Sequence, residues 1–93
     1  MSRYKVELVG MAGRAVGKRE LEVDLGDGAT LAELTSALRH ACPELQGPII
    51  EAGRDRLVGH YTYNVNGRFY VDEYELVVHP ADRILIVTLA MGG

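Results

Sequence analysis

Cysteine is almost missing from this chain: Cys42 stands alone among 93 residues. A lone cysteine excludes an internal disulfide and any zinc framework built on thiolates, and it fits a reducing compartment. Long apolar runs are missing too. The longest, Ile84–Val87 with Leu89 beyond Thr88, falls far short of the roughly 20 residues that span a bilayer. The opening MSRYKVELVG has no apolar stretch leading to a small-residue cleavage position. The expectation is a cytoplasmic protein with no membrane partner. Nor does one sign of charge dominate. The net charge is −3 with a pI near 5.5, and the cations are interleaved with acids, as in Lys18-Arg19-Glu20 and Arg54-Asp55-Arg56. Phosphate binding needs a clustered basic face, so nucleic acid is excluded as the expected partner.

What is present suits one small globular domain. The chain is 47% hydrophobic and 25% charged, which argues against disorder, and neither a repeat nor a linker divides it. Tyr4 to Val9 alternates apolar and polar residues, predicting a half-buried strand with Tyr4, Val6 and Leu8 inward. Gly10, Gly13 and Gly17 then read as a hairpin loop. A second alternating run, Glu20 to Leu25, should pair antiparallel with the first.

The period changes after Gly26-Asp27-Gly28. Thr30 and Glu33 form the signature of a capping box, and Leu31, Leu34, Leu38 and Ala41 or Cys42 line one face of a helix. Pro43 ends it near Ala41, because proline has no N–H to continue the ladder and disfavours helical geometry at Cys42. Pro48-Ile49-Ile50 is expected as a short edge strand. Tyr61–Val65 and Arg68–Val71 read as strands about an Asn66-Gly67 turn, and Leu76-Val77-Val78 as a brief pairing. Ile84–Leu89 is apolar on both faces, as an interior strand should be. The order predicts an α+β β-grasp fold: a mixed sheet of four to five strands, one main helix across it, and first and last strands parallel neighbours. Residues 1–89 are expected to form that single domain and residues 90–93 a flexible tail.

The side chains offer no catalytic set. His40, His60 and His79 fall in different elements without metal-ligand spacing, so no metal site is expected. His40 and Cys42 are two apart, a spacing at which helical residues do not face each other. Cys42 reads as a small packing residue. Gly10–Gly17 precedes a strand and lacks the Lys-Ser/Thr ending of a phosphate-binding loop. The carboxylates form no inward pair. The chain is expected not to be an enzyme.

Attention therefore falls on Ala90-Met91-Gly92-Gly93. Two adjacent glycines at a fixed position arise by chance in roughly 0.5% of chains. Glycine passes channels too narrow for a Cβ, and it precedes here a terminal carboxylate that attacks an activated phosphate once ionised. Leu85, Val87 and Leu89 are the outward residues of the last strand if Ile84 and Ile86 pack on the helix. With Phe69 they are candidates for a docking face.

Three stretches resemble the ubiquitin-like sulfur carriers, which include the molybdopterin synthase small subunit and the thiamine-biosynthesis carrier. They are Ala12-Gly13-Arg14-Ala15-Val16-Gly17, the turn Val65-Asn66-Gly67-Arg68, and Pro80-Ala81-Asp82-Arg83-Ile84 leading to Met91-Gly92-Gly93. The resemblance covers essentially the whole chain. It implies that an E1-like enzyme consumes ATP to adenylate Gly93, with no cofactor permanently bound. A sulfur donor then makes a thiocarboxylate, and a sulfur-accepting enzyme such as the molybdopterin synthase large subunit takes the sulfur. Gly92 is the element that must stay unbranched, with Met91 before it. Leu89-Ala90-Met91 departs from the proline pair of many molybdopterin-type members, Ala15 from a common Glu and Ala81 from a common Gly. A ubiquitin-like modifier joined to lysines through Gly93 and a non-covalent β-grasp interaction module are the alternatives.

Overall fold

The computed structural model describes residues 1–89. Five strands form one mixed sheet: β1 (Ser2–Leu8), β2 (Glu20–Leu25), β3 (Tyr61–Val65), β4 (Arg68–Tyr70) and β5 (Ile84–Thr88), in the spatial order β2-β1-β5-β3-β4. β5 lies in the middle, parallel to β1 and antiparallel to β3. The apolar character of both its faces follows from that position.

Helix α2 (Leu31–Ala41) covers one face of the sheet. Its start is the capping box read from sequence: the Glu33 N–H donates to Thr30 Oγ1 at 3.1 Å and the Thr30 N–H to Glu33 Oε1 at 2.9 Å. Leu31, Leu34 and Leu38 are buried, and of the two candidates at the end it is Cys42 that enters the core, while Ala41 is exposed. Facing them from the sheet are Tyr4, Val6, Leu8, Val23, Tyr63, Val65, Ile84 and Ile86. Burial and a hydrogen bond to Glu44 raise the pKa of the Cys42 thiol, in keeping with a packing role.

Two expectations are corrected. Gly10–Gly17 is not a hairpin loop; it contains a short helix, α1 (Met11–Val16), whose Ala12 is fully buried. Of the glycines that suggest a loop, Gly10 and Gly17 are its boundaries and Gly13 lies inside it. Gly17 takes the left-handed conformation after the last turn (φ 70°), and Gly13 lies so close to the Leu8 and Lys18 carbonyls that a Cβ would stand 2.9 and 3.0 Å from their oxygens. Nor is Pro48-Ile49-Ile50 an edge strand. A 3₁₀ turn at Pro43–Leu45 delivers Ile49 and Ile50 into the core, where both are fully buried and Ile50 makes only isolated bridges to Gln46 and Leu57. β4 is one residue shorter than the expected Arg68–Val71.

The connection 72–80 packs over the start of α2. The Leu31 and Ala32 N–H groups, which no helix turn can satisfy, donate to the Leu76 and Tyr74 carbonyls at 2.9 and 3.0 Å, and Thr30 bridges to Val77. Residues 46–60 brace this strap in turn. Arg56 pairs with Asp72 at 2.6 Å and lies over the Tyr74 ring, whose hydroxyl accepts the Leu57 N–H.

Candidate functional site

Register decides what the outer face presents. β5 is tied at its start to the β3–β4 turn: the Asn66 N–H donates to the Arg83 carbonyl, the Arg83 N–H to Asn66 Oδ1, and Asn66 Nδ2 to Asp82 Oδ1, at 2.9, 2.9 and 3.0 Å. Asn66 and Gly67 have φ of 53° and 90°, as a two-residue hairpin turn of type I′ requires. This clamp places Ile84 and Ile86 inward, 1% and 0% exposed, and leaves Leu85 and Val87 half-buried on the outer side. A slip of one residue would exchange the two sets.

Across the sheet, the partner registers align Glu20, Glu7, Leu85, Asn64 and Phe69 on that same outer face. Its two halves differ. Over β1 and β2 it is a charged lattice, with Arg3 on Asp24 and Glu22, Lys5 on Glu20, and Arg83 on Glu7. Over β5, β3 and β4 it is apolar. Phe69 is 57% exposed, and Leu85, Val87 and Leu89 are half-buried. Thr62 and Asn64 lie beneath, with Thr62 Oγ1 hydrogen-bonded to the Tyr70 carbonyl and Asn64 Oδ1 to the Gly67 N–H. Leu85, Val87 and Phe69 thus share one face, and Leu89 follows them just beyond the end of β5.

Sequence reasoning missed three members of this surface. Val9, Met11 and Val71 are exposed apolar residues at the end of the sheet where β5 finishes. Val9 follows β1 and its N–H bonds the Ile86 carbonyl at 3.1 Å, Met11 opens α1, and Val71 follows β4. In sequence, Val9 falls at an outward position of the first alternating run and Met11 in the glycine stretch expected as a loop. The available signal was an apolar residue at an outward or loop position with no core to serve.

Leu89 follows β5 at this end of the sheet, its N–H held by the His60 carbonyl at 2.8 Å. Met91, Gly92 and Gly93, and the expected flexible tail 90–93, lie outside the described residues. His40 bonds the Ser36 carbonyl, His60 packs on Tyr61, and no three His, Cys, Asp or Glu among the described residues are grouped to hold a metal. No helix among them is long and apolar enough to cross a membrane.

A five-stranded mixed sheet with parallel outer-sequence strands at its centre and one long helix across it defines a ubiquitin-like β-grasp protein. No family model and no curated protein matches the sequence. Solved structures do match. Small archaeal modifier protein 1 from Haloferax volcanii superposes with a TM-score of 0.77 at 21% identity, covering 99% of this chain and 100% of that one. The modifier of the same name from Methanosarcina acetivorans gives 0.71 at 25% identity, covering 100% and 98%. A protein assigned as molybdopterin converting factor, subunit 1, from Pyrococcus furiosus gives 0.68 at 16%, covering 97% and 100%. These structures share the ubiquitin-like β-grasp fold that the motif resemblance implied.

Proposed function

We propose that this chain is a sulfur carrier whose C-terminal glycine is the reacting residue, most directly for molybdopterin synthesis. The reading takes Gly93 as a substrate rather than a catalyst. An E1-like enzyme binds the outer face, and the Gly93 carboxylate oxygen attacks the α-phosphorus of ATP, releasing pyrophosphate. Sulfur at the sulfide level from a donor attacks the acyl carbon of the adenylate and AMP leaves; the thiocarboxylate sulfur then attacks a substrate held by an acceptor such as the molybdopterin synthase large subunit, and water cleaves the acyl–sulfur bond to return the Gly93 carboxylate. The observation that carries this reading is the placement of Leu89. It follows the central strand at the end of the sheet where Val9, Met11 and Val71 are exposed, four positions in sequence before a glycine that closes a Gly-Gly pair. The fold shared with a molybdopterin converting factor subunit supports it. A thiocarboxylate needs no group that the side chains of the domain lack.

Incubation with an E1-like enzyme, ATP and a sulfur donor tests the proposal by intact mass. The expected product has one C-terminal oxygen replaced by sulfur. An unchanged mass with an enzyme that activates its own carrier in parallel overturns the reading.

A second reading has its own support, since two of the matched structures are modifiers by name. In it the adenylate is attacked by a lysine amine and an isopeptide forms through Gly93. Higher-mass conjugates in cell lysate, lost on deletion of Gly93, distinguish it from the carrier.

A further inference from the structure

The chain has ten lysines and arginines. Six of them, Arg3, Lys5, Arg39, Arg54, Arg56 and Arg83, lie within 4.0 Å of a carboxylate. Of the four that have no such partner among the described residues, Arg14, Lys18 and Arg19 stand together. They line one open recess with Glu7 and Val9 at the turn from α1 into β2, and all three are exposed. The fourth, Arg68, is at the opposite end of the sheet, beside the start of β5.

The acids near the trio do not neutralise it. Glu7, which lines the recess, is engaged by Arg83 at 3.1 Å, and Glu20 by Lys5 at 3.7 Å. A protein of net charge −3 therefore keeps at one corner three cations with no carboxylate within 4.0 Å among the described residues. That corner adjoins the apolar rim. Val9 belongs to both surfaces, α1 packs against β5, and the Leu8 N–H bonds the Arg19 carbonyl at 2.7 Å, so the cations flank the end of the sheet from which Leu89 departs.

We propose that Arg14, Lys18 and Arg19 form the orienting contact for the activating enzyme, and that they meet a carboxylate-bearing strip of its surface beside the apolar ground occupied by Val9 and Val87. The inference rests on the carrier reading and adds the chemistry and the direction of approach. An apolar patch alone leaves rotation about its normal undetermined. Three cations on one side of it break that symmetry, so an acidic strip on the partner selects the one orientation in which residue 90 and those after it enter first. Rim charges of this kind act through encounter rate and salt dependence more than through the closed complex.

The experiment compares ATP-dependent adenylation of the full chain by the E1-like adenylating enzyme of the same organism, as a function of salt. The proteins are wild type, the triple variants R14E/K18E/R19E and R14Q/K18Q/R19Q, and R68E as a charge control. The triple Glu variant is expected to raise KM for the chain at least about tenfold at low salt with kcat unchanged. The gap should close near 1 M salt, where the screening length is about 3 Å. The Gln variant should fall between, and R68E should match wild type within about twofold. All three side chains are exposed, and a thermal melt unchanged from wild type shows that the fold is kept. A triple variant with wild-type KM and salt slope, or an R68E effect as large as the triple, overturns the inference while leaving the carrier reading intact. Failure of wild type itself to be adenylated overturns both.

Discussion

Asn66 holds Asp82: the side-chain amide of one donates to the carboxylate of the other at 3.0 Å, across the gap between the β3–β4 turn and the approach to β5. Two stretches that carry the family resemblance, Val65–Arg68 and Pro80–Ile84, are thus halves of one device. It fixes the register of the strand that leads to the C-terminus.

Replacing Asn66 with glycine keeps the positive φ of the turn and removes only the clamp. Asn66→Gly is expected to cost about 1–2 kcal/mol, the sum of two net hydrogen bonds, in a denaturant titration. Amide exchange should accelerate first in β5 and β4 rather than in α2.

The same clamp has a pH signature. The hydrogen bond from Asn66, with that from the His79 N–H at 2.8 Å, holds the Asp82 carboxyl below its usual pKa. A depressed folded-state pKa contributes stability that is full above the unfolded value of about 3.9 and is lost as pH falls through the folded value. Acid titrations of wild type and Asp82→Asn should therefore separate above about pH 4 and converge only as pH falls through the lowered folded-state value. Equal differences at every pH would show that the charge plays no part.

Gly13 has an ordinary negative φ, so its requirement is space. Gly13→Ala sets a Cβ 2.9 and 3.0 Å from two backbone oxygens that are not flexible side-chain ends. Overpacking of this kind costs about 1–3 kcal/mol, read as a lowered melting temperature. Gly17→Ala tests the left-handed alternative at the neighbouring helix boundary, where nothing lies within 4 Å of a new Cβ but φ is 70°.

Thr35 and Tyr63 join α2 to β3 through a buried hydrogen bond of 2.6 Å. The Thr35 proton is directed to the Leu31 carbonyl at 2.7 Å, so Tyr63 is the donor. Burial raises the Tyr63 pKa far beyond the ordinary tyrosine range. Thr35→Val should cost more than Tyr63→Phe, about 1–3 kcal/mol against about 1, because it strands a buried hydroxyl. The double variant should cost less than the sum, as a double-mutant cycle would show.

Phe69 separates stability from partner binding. It is on an edge strand and more than half exposed, so Phe69→Ser should change unfolding free energy by no more than about 0.5 kcal/mol. If the apolar half of the sheet docks the partner, the same change should weaken adenylation tenfold or more in KM, as loss of an interfacial aromatic does.

Much of this was legible in the chain because it depends on local spacing. The capping box at Thr30 and Glu33, the stop at Pro43, the Asn66-Gly67 turn and the alternation in β2 are decided within a few residues, and the structure has them where they were read. The parallel pairing of β1 with β5 followed from element order and a doubly apolar last strand. Gly10–Gly17 misled because glycines at helix boundaries and at a close backbone contact look, in sequence, like glycines in a loop. Ile49 and Ile50 misled because a buried apolar pair does not reveal whether a sheet or a turn delivers it.

By itself, then, the order of residues determined the elements, their facing sides and the presence of a Gly-Gly ending, since each follows from contacts between near neighbours. Only the tertiary structure decided that Val9, Met11 and Val71 lie exposed at the end of the sheet where β5 leads to Leu89, and that Arg14, Lys18 and Arg19 line one recess there with no carboxylate within 4.0 Å among the described residues. Those relations join residues up to eighty positions apart in the chain. They arise from strand register and from which acid each cation reaches in space, and neither is written in local spacing.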